Sequence, residues 1–326
     1  MMKLRTIVTL FCLVACGTAW AKGPVHTDPE KAGGDFEIQG EYAGTAQTKD
    51  GAKRVGVQVI ARGKGEFEAV AYPGGLPGAG YNGEETRSAE GKLEDGTAVF
   101  GWEDVTATVS DGVLKVRGAE GETVAELKKV MRESPTLGKK PPQGAIVLFD
   151  GTDADAFRNG KVTDEGLLKQ GVTSKQTFGD HLLHIEFRLP YQPQDRGQGR
   201  GNSGIYLQGR YEIQMLDSFG LEGKHNECGG IYERKAPDVN MCYPPLSWQT
   251  YDVDFTAAKY DDQGNLSAAP RLTVRHNGEV IHDDVELPND QPTRAAPVKA
   301  GPAPGPVYLQ DHGCPVRYRN IWVVEK

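Results

Sequence analysis

The sequence lacks the features that mark several large classes of protein. It has no run of lysine and arginine, and its 37 basic residues are outnumbered by 45 acidic ones, for a net charge of −8. Because nucleic-acid binding needs a basic surface to meet the phosphates, this charge excludes nucleic acid as the main partner. Beyond the N-terminus, no apolar run approaches the roughly 18 residues of a membrane-spanning helix, so no transmembrane span is predicted.

Cysteine is scarce, and its spacing does not suit a metal site. The five cysteines include no Cys-x-x-Cys pair and the seven histidines no His-x-x-x-His pair, so the spacings of a structural zinc site are absent. Asp150, Asp153 and Asp155 are spaced somewhat as in a calcium loop but lack its glycine and its terminal glutamate. The sequence therefore predicts no cofactor, and a divalent metal such as calcium stays an open alternative.

The first 21 residues predict export. Lys3 and Arg5 precede an apolar stretch over residues 7–15, and Ala19-Trp20-Ala21 places small residues where signal peptidase reads them. Cleavage after Ala21 would release the protein into the periplasm or the extracellular space. Leu13-Val14-Ala15-Cys16 also resembles a lipoprotein box, and that alternative places a lipid anchor on Cys16.

Three cysteines remain after cleavage. Disulfides persist in the compartments that exported proteins enter. Cys228 and Cys242 flank one segment and are the expected pair, which leaves Cys314 free. Two unpaired, buried thiols at positions 228 and 242 are the alternative.

Short runs broken by glycine take the place of long helical patterns. Residues 55–60, 67–72 and 113–116 alternate apolar and polar side chains, which is typical of antiparallel strands with one buried face. We therefore predict an all-β protein whose residues 22–135 form a small β-barrel or sandwich of unknown role. Residues 136–143 contain Lys-Lys-Pro-Pro and have the composition of a linker.

A second β-rich domain is predicted for residues 144–326. Its strand-like runs lie at residues 182–189, 203–208, 211–216, 248–255, 271–276, 280–285, 307–312 and 316–324. Asn277-Gly278 predicts a two-residue hairpin turn, and six prolines between residues 288 and 306 predict a surface loop or lid. Eight strands with few helical stretches predict a two-sheet sandwich of the jelly-roll type.

Three of these strands carry polar side chains on one face. Successive side chains of a strand point to opposite faces. If apolar residues face the core, the other face carries the polar residues of all three strands: His184, Glu186, Arg188, Tyr206, Gln208, Glu212 and Gln214. If the three strands are neighbours, they form one surface suited to a sugar, with carboxylates for proton transfer and an aromatic ring for the sugar face. A solvated outer face is the alternative.

From about residue 144 to the end, the chain resembles the 3-keto-disaccharide hydrolase family, also described as 3-keto-glucoside 1,2-lyases and 3-keto-2-hydroxyglucal hydratases. Seven strings carry the resemblance: Leu148 to Thr152, Asn202 to Leu207, Tyr211 to Asp217, Cys228 to Tyr232, Trp248 to Asp252, Leu309 to Gly313, and Arg319 to Ile321. The resemblance implies a concanavalin-like jelly roll related to glucanases. Cys314 departs from the family, where an asparagine is expected after His-Gly.

The resemblance implies a reaction on a sugar already oxidised at C3. A general base removes the acidified C2 proton, a donor holds the enolate oxygen, and the C1–O bond breaks by β-elimination. Water then adds, so the net result is hydrolysis. The base needs a pKa raised toward neutrality, which burial of a carboxylate provides.

Candidate residues are assigned to these steps. Glu186 or Glu212 is the expected base or acid, and His312 the donor to the leaving oxygen. Arg188 and Asn202 would hold the enolate oxygen, because fixed donors stabilise developing charge. The residues expected to bind or position the sugar are His184, Asn202, Tyr206, Gln214, Asp217, Tyr232, Trp248 and Gln249.

Two other functions stay open. An ordinary retaining glycoside hydrolase would hold Glu186 and Glu212 about 5–5.5 Å apart as nucleophile and acid. A non-catalytic carbohydrate-binding module would hold a glycan without converting it. All three functions take an oligosaccharide or glycoside as partner, and no oligomeric state is predicted.

Overall fold

The structure is a computed structural model that describes residues 23–102 and 105–326. The export signal and the lipid-anchored Cys16 predicted above lie outside these described residues. Within these described residues, helix is confined to α1 (Gly34–Ile38) and to three short 3-10 turns at Pro29–Lys31, Gly197–Gly199 and Pro288–Asp290, and the rest of the regular structure is β. In the part of the chain described, no helix is long and apolar enough to cross a membrane. The protein is thus all-β, as its sequence predicts.

The first eight strands form a closed barrel. They are β1 (Gly40–Thr48), β2 (Gly51–Gly63), β3 (Glu66–Pro73), β4 (Arg87–Glu94), β5 (Thr97–Trp102), β6 (Val105–Ser110), β7 (Val113–Arg117) and β8 (Thr123–Val130). Each strand pairs antiparallel with the next, and β1 pairs with β8 to close the circle. The turns Asp95-Gly96 and Asp111-Gly112 have positive φ at both residues, the conformation that joins strands through two residues. The barrel alternative for the N-terminal region is therefore correct.

Fourteen further strands follow the barrel. They are β9 (Ile146–Phe149), β10 (Phe157–Arg158), β11 (Leu168–Lys169), β12 (Val172–Phe178), β13 (His181–Arg188), β14 (Ser203–Leu207), β15 (Tyr211–Met215), β16 (Trp248–Thr256), β17 (Lys259–Tyr260), β18 (Leu266–Ala268), β19 (Arg271–His276), β20 (Glu279–Glu286), β21 (Gly305–Leu309) and β22 (Arg317–Glu325). As predicted, Asn277-Gly278 joins β19 to β20, with positive φ at both residues.

Twelve of these strands make a two-sheet jelly-roll sandwich. One sheet has the order β10-β12-β21-β14-β15, and the other has β11-β22-β13-β16-β19-β20 with β9 added beside β22. Apolar side chains of both sheets pack into one buried core, for example Ile185 and Phe187 from β13 against Ile205, Ile213 and Met215 from the facing sheet. The polar residues of β13, β14 and β15 therefore point away from this core, as their alternation predicts.

The barrel and the jelly roll share buried contacts. Tyr191 and Leu246, from jelly-roll loops, pack into the apolar cluster of the barrel. Arg132, just after β8, donates from Nε to Oε2 of the buried Glu41 at 2.7 Å and lies over the ring of Tyr243 at 4.9 Å. An apolar contact and a charged one thus link the two units.

The expected disulfide is not formed. In the part of the chain that the structure describes, Cys228, Cys242 and Cys314 form no disulfide, and all three are buried. Cys228 and Cys242 belong to the core between the sheets, where the Cys228 thiol lies 3.3 Å from the hydroxyl of Tyr251 and the Cys242 thiol 3.5 Å from the carbonyl of Leu216. Both side chains fill core space as small apolar groups, so the alternative of unpaired thiols is the correct one.

The proline-rich segment 288–306 is held against the edge of the five-stranded sheet. After its 3-10 turn it has no regular structure until β21 begins at Gly305. The guanidinium of Arg210 donates to the carbonyls of Lys299 and Ala303, and Thr293 donates its N–H to the carbonyl of Arg210. The segment is therefore a surface loop tied to the sheet beside β15.

Candidate active site

A small cavity lies on the face of the five-stranded sheet that points away from the sandwich core. Its volume is about 300 Å³. Its lining residues come from β15, from the end of β21 and from three loops, and they are Gln198, Asn202, Glu212, Gln214, Tyr232, Arg294, Ala295, Gln310 and His312. We call this cavity the amide pocket, because four of the nine side chains are amides.

Glu212 lies at the base of the amide pocket in a position that its neighbours determine. Its cross-strand partner Tyr206 donates its hydroxyl to Oε2 at 2.6 Å, and Gln310 donates to the same hydroxyl at 3.2 Å. On the other side, a Cβ at Gly204 would lie only 2.1 Å from Oε1. Position 204 therefore has to be glycine for the carboxylate to lie where it does.

Burial gives Glu212 an unusual affinity for protons. The side chain is 1% exposed. Desolvation disfavours the charged form and raises its pKa to about 7, although the hydrogen bond from Tyr206 acts in the opposite direction. Glu212 therefore exchanges a proton readily near neutral pH.

Three amides form a connected network along the pocket wall. Oε1 of Gln198 accepts from Asn202 at 3.1 Å and from Gln214 at 3.0 Å. The remaining amide oxygens of Asn202, Gln214 and Gln310 are buried and have no hydrogen-bond partner within residues 23–102 and 105–326. Buried acceptors normally have a partner, and the hydroxyl groups of a bound sugar would supply one.

The rim of the amide pocket comes from loops. The Tyr232 N–H donates to the carbonyl of Glu212, so this loop runs along the free edge of β15. Arg294 comes from the loop over residues 288–306 and pairs with Glu233 at 3.0 Å on the surface. His312 is exposed and lies two residues beyond Gln310, whose N–H donates to the carbonyl of Gly204. A histidine and an arginine thus both line the pocket that contains Glu212.

The prediction that three polar strands lie side by side is wrong for one of them. β14 and β15 are neighbours, but β13 belongs to the seven-stranded sheet, between β22 and β16. Glu186 on β13 therefore lies on the opposite outer face of the sandwich from Glu212. Alternation along a strand gives the face of each side chain but does not tell which sheet the strand joins.

Glu186 is enclosed by partners rather than facing a cavity. Its Oε1 accepts from the backbone of Gly138 at 2.6 Å and from Asn320 at 2.8 Å, and its Oε2 accepts from Arg319 at 2.6 Å. Burial alone would raise its pKa, but hydrogen bonds from His184, Asn320 and Arg319 outweigh burial and lower the pKa to about 2. A carboxylate held ionised in this way is a poor base at neutral pH.

The other β13 residues and their neighbours also lie away from the amide pocket. His184 is buried, with Nδ1 2.9 Å from Asp252. The ring of Trp248 has the guanidinium groups of Arg188 and Arg319 over it, at 5.1 and 4.0 Å from the ring centre. Gln249 is buried, and its Oε1 accepts the N–H of Tyr243. His184, Arg188 and Trp248 lie on the outer side of the seven-stranded sheet, and Gln249 lies on its core side.

Asp217 borders a different and larger cavity. It pairs with the buried Arg200 at 2.6 Å, and both line a space of about 820 Å³ between the barrel and the jelly roll. Charged side chains of both signs surround this space, among them Arg62, Glu90 and Lys92. None of its lining residues belongs to the amide pocket.

Comparison with known proteins agrees with this architecture. The family model of the 3-keto-alpha-glucoside-1,2-lyase-like domain matches residues 144–324, more than half of the chain. The chain belongs to this family. This confirms the resemblance that its sequence motifs indicate.

Two solved structures are similar to the jelly-roll part of the chain. A "putative glycosyl hydrolase" from Parabacteroides distasonis ATCC 8503 is 34% identical, with a TM-score of 0.52, over 57% of this chain and 85% of that protein. A second protein of the same description from that organism is 18% identical, with a TM-score of 0.41, over 56% and 94%. No curated protein matches the chain. The family and the first of these structures make the protein a carbohydrate-active enzyme of the jelly-roll type.

Within this family member, the amide pocket unites five of the residues expected from the sequence. Asn202, Glu212, Gln214, Tyr232 and His312 line it, and Tyr206 lies directly beneath through its bond to Glu212. Sequence reasoning did not select Gln198, Arg294, Ala295 or Gln310 as site residues. Gln310 belongs to the motif Leu309 to Gly313 and so could have been predicted, whereas the other three come from loops that only folding brings together.

In residues 23–102 and 105–326 no group of three or more His, Cys, Asp and Glu side chains could hold a metal ion. The side-chain oxygen atoms that line the amide pocket belong to four amides, to the carboxylate of Glu212 and to the phenol of Tyr232.

Proposed function

We propose that this enzyme cleaves 3-keto-glycosides by removing the C2 proton, eliminating the C1 substituent and adding water. The observation that carries the proposal is Glu212, a buried carboxylate with a pKa of about 7 at the base of a sugar-sized polar pocket. A base of that pKa is half ionised near neutral pH and binds a proton strongly enough to abstract one from carbon next to a carbonyl group.

The steps balance without an external oxidant or reductant. The Glu212 carboxylate takes the C2 proton, and the electron pair moves into the C2–C3 bond while O3 becomes an enolate oxygen. The enolate then collapses, a C1–C2 double bond forms, and the C1–O bond breaks with its electrons on the leaving oxygen. Water adds its hydroxyl to C1 and a proton to C2, so one glycoside and one water give a 3-keto sugar and an alcohol.

The rim residues have roles that suit their positions. His312 would protonate the leaving oxygen, as the sequence suggests, since it stands at the exposed mouth of the pocket. Arg294 takes over the role first expected for Arg188, because it is the arginine that lines this pocket, and its positive charge would stabilise the enolate oxygen. Asn202, Gln214 and Gln310 would accept hydrogen bonds from the sugar hydroxyls, and Gln198 holds the first two in place.

The pocket offers less support for an ordinary retaining hydrolase. That mechanism needs two carboxyl groups about 5–5.5 Å apart. Among the described residues that line the pocket, Glu212 is the only carboxylic acid, and Glu186 lies on the other sheet. We propose export as well, on the signal sequence over residues 1–21 alone.

Turnover of paired substrates tests the proposal. The purified protein and its Glu212→Gln variant are incubated with a 3-keto-glucoside and with the unoxidised glucoside, and the released alcohol is measured. Wild-type protein is expected to cleave only the keto compound. Glu212→Gln should lower that rate at least about a hundredfold, because general bases contribute this much or more.

A matched control separates catalysis from folding. Glu186→Gln makes the same chemical change on the opposite face of the sandwich and should keep turnover per folded molecule within about twofold. Cleavage of the unoxidised glucoside at a comparable rate would instead favour a glycoside hydrolase. Saturable binding of the keto compound without product would favour a binding module.

A further inference from the structure

The barrel holds a cavity of its own, which shares no lining residue with the amide pocket. Its volume is about 510 Å³, and every one of the eight barrel strands contributes to its wall. The wall consists of Ala46, Val55, Val57, Ala69, Ala71, Arg87, Trp102, Val105, Ala107, Leu114, Val116, Val124, Ala125 and Leu127. A cavity bordered by all strands of a closed barrel lies on the barrel axis.

The two ends of the barrel interior are built differently. One end is filled by the large side chains of Tyr42, Phe67 and Phe100, and α1 lies over it, with the carbonyl of Ile38 accepting from the Tyr42 hydroxyl at 2.6 Å. A Cβ at Gly91 would lie 2.4 Å from the ring of Phe100, so a larger residue at position 91 would clash with this ring. The filled end therefore forms an ordinary barrel core.

The opposite end is lined by small residues and stays open. Five of the lining residues are alanines, and they leave space that larger apolar side chains would have filled. Trp102, Val55 and Val116 at this end are only half-buried. An eight-stranded barrel is wide enough either to be filled by side chains or to hold one small ligand, and this half is not filled.

The lining defines the chemistry of a ligand. The cavity falls in the range of about 300–1,000 Å³ that is usual for small-molecule sites. Arg87, exposed at the rim, is its only charged lining residue among those described, and the remaining walls are aliphatic apart from the indole of Trp102. We propose that the open half of the barrel binds a compact, uncharged apolar molecule, independently of the sugar chemistry in the jelly roll.

Titration of the full-length protein with N-phenyl-1-naphthylamine tests this proposal. This probe is neutral, apolar and fluoresces strongly only when shielded from water. We expect saturable binding of one probe per chain and energy transfer to it from Trp102. Trp102→Phe should abolish most of the transfer while the probe still binds. Transfer that persists unchanged in Trp102→Phe, or no saturable binding to the wild type, would overturn the proposal.

A pair of variants on one strand locates the site. Ala107 points into the cavity and Thr106 points to solvent from the same strand, β6. Ala107→Phe should weaken probe binding at least tenfold because the new ring occupies the cavity, whereas Thr106→Phe should leave the affinity within about twofold. If circular dichroism shows that Ala107→Phe is unfolded, Ala71→Leu at the half-buried rim replaces it with the same expectation. Equal affinity in a folded cavity-filling variant and in the wild type would contradict the proposal.

Discussion

At the scale of single residues, the carboxylate of Glu212 depends on two opposing influences. Burial raises its pKa toward neutrality, and the hydroxyl of Tyr206 at 2.6 Å stabilises its ionised form. A base needs both: enough proton affinity to remove the proton from C2, and enough ionised population to act near pH 7. Gly204 completes the arrangement by leaving space beside Oε1.

Tyr206→Phe should move the pH dependence of catalysis. Loss of the hydrogen bond to the charged form raises the pKa of Glu212 above about 7, so the acid limb of kcat/KM should shift by about one unit to higher pH. At pH 7 the rate should then fall up to about tenfold. Tyr308→Phe is the matched control, because Tyr308 packs on Tyr206 with ring centres 5.3 Å apart and should leave the limb in place. An acid limb that does not move in Tyr206→Phe would show that Glu212 is not the base.

For single residues, the sequence predicts the face of a strand on which a side chain lies, but not the sheet to which that strand belongs. Strict alternation in β14 and β15 correctly places Tyr206, Glu212 and Gln214 on the face away from the core. The same reasoning is correct for the face of Glu186, but alternation looks identical in both sheets of a sandwich. Only the pairing of strands, which depends on distant parts of the chain, separates the two carboxylates.

At the scale of elements, Glu186 joins three segments that are far apart in sequence. Glu186 itself lies on β13. Its two carboxylate oxygens accept hydrogen bonds from Gly138 of the linker and from Arg319 and Asn320 of β22. Nearby, Thr136 donates to Asp252 of β16 at 2.7 Å. The linker is thereby fixed on the outer face of the seven-stranded sheet. Its Lys-Lys-Pro-Pro composition gave no indication of such attachment.

Glu186→Gln should therefore affect stability rather than chemistry. The pKa of Glu186, about 2, lies below its ordinary value, so its ionised form stabilises the fold above about pH 4.5, and this contribution is lost as the pH falls through about 2. We expect the variant to lose about 2–4 kcal/mol of unfolding free energy at pH 7, since it weakens a buried charged cluster. Urea unfolding at several pH values measures this.

The variant should also show a flatter decline in stability between pH 4.5 and 2 than the wild type, because the titrating group is gone. Equal stability of the two proteins at pH 7, together with parallel acid profiles, would mean that the Glu186 cluster does not hold the linker.

At the scale of the whole molecule, Arg132 couples the barrel to the jelly roll through its contact with Tyr243, and the buried carboxylate of Glu41 holds Arg132 from within the barrel. Arg132 binds this carboxylate through two nitrogens, donates to the carbonyl of Pro77 at 2.6 Å and stacks on Tyr243. Gln58 donates to the same carboxylate at 2.9 Å. The sequence pattern predicted two β units, but a contact of this kind between distant residues has no local signal.

Arg132→Ala should loosen this coupling. Glu41 is 1% exposed, so removal of its partner leaves a buried charge, and we expect a loss of about 3 kcal/mol. Calorimetry should then resolve two unfolding transitions where the wild type shows one. Arg271→Ala, which breaks exposed pairs with Asp284 and Glu286 on the jelly-roll edge, is the control and should change stability by less than about 1 kcal/mol. A single transition with unchanged midpoint in Arg132→Ala would contradict the coupling.

The most direct test of the account follows the C2 proton itself. A 3-keto-glucoside is incubated in heavy water with wild-type protein, Glu212→Gln or Glu186→Gln, and deuterium at C2 of substrate and product is measured by nuclear magnetic resonance. We expect wild-type protein and Glu186→Gln to introduce deuterium at C2, with an exchange rate that falls on the acid side with an ionisation near pH 7, and Glu212→Gln to introduce none. Undiminished C2 exchange in folded Glu212→Gln, or cleavage by the wild type with C2 unlabelled, would contradict the proposed mechanism.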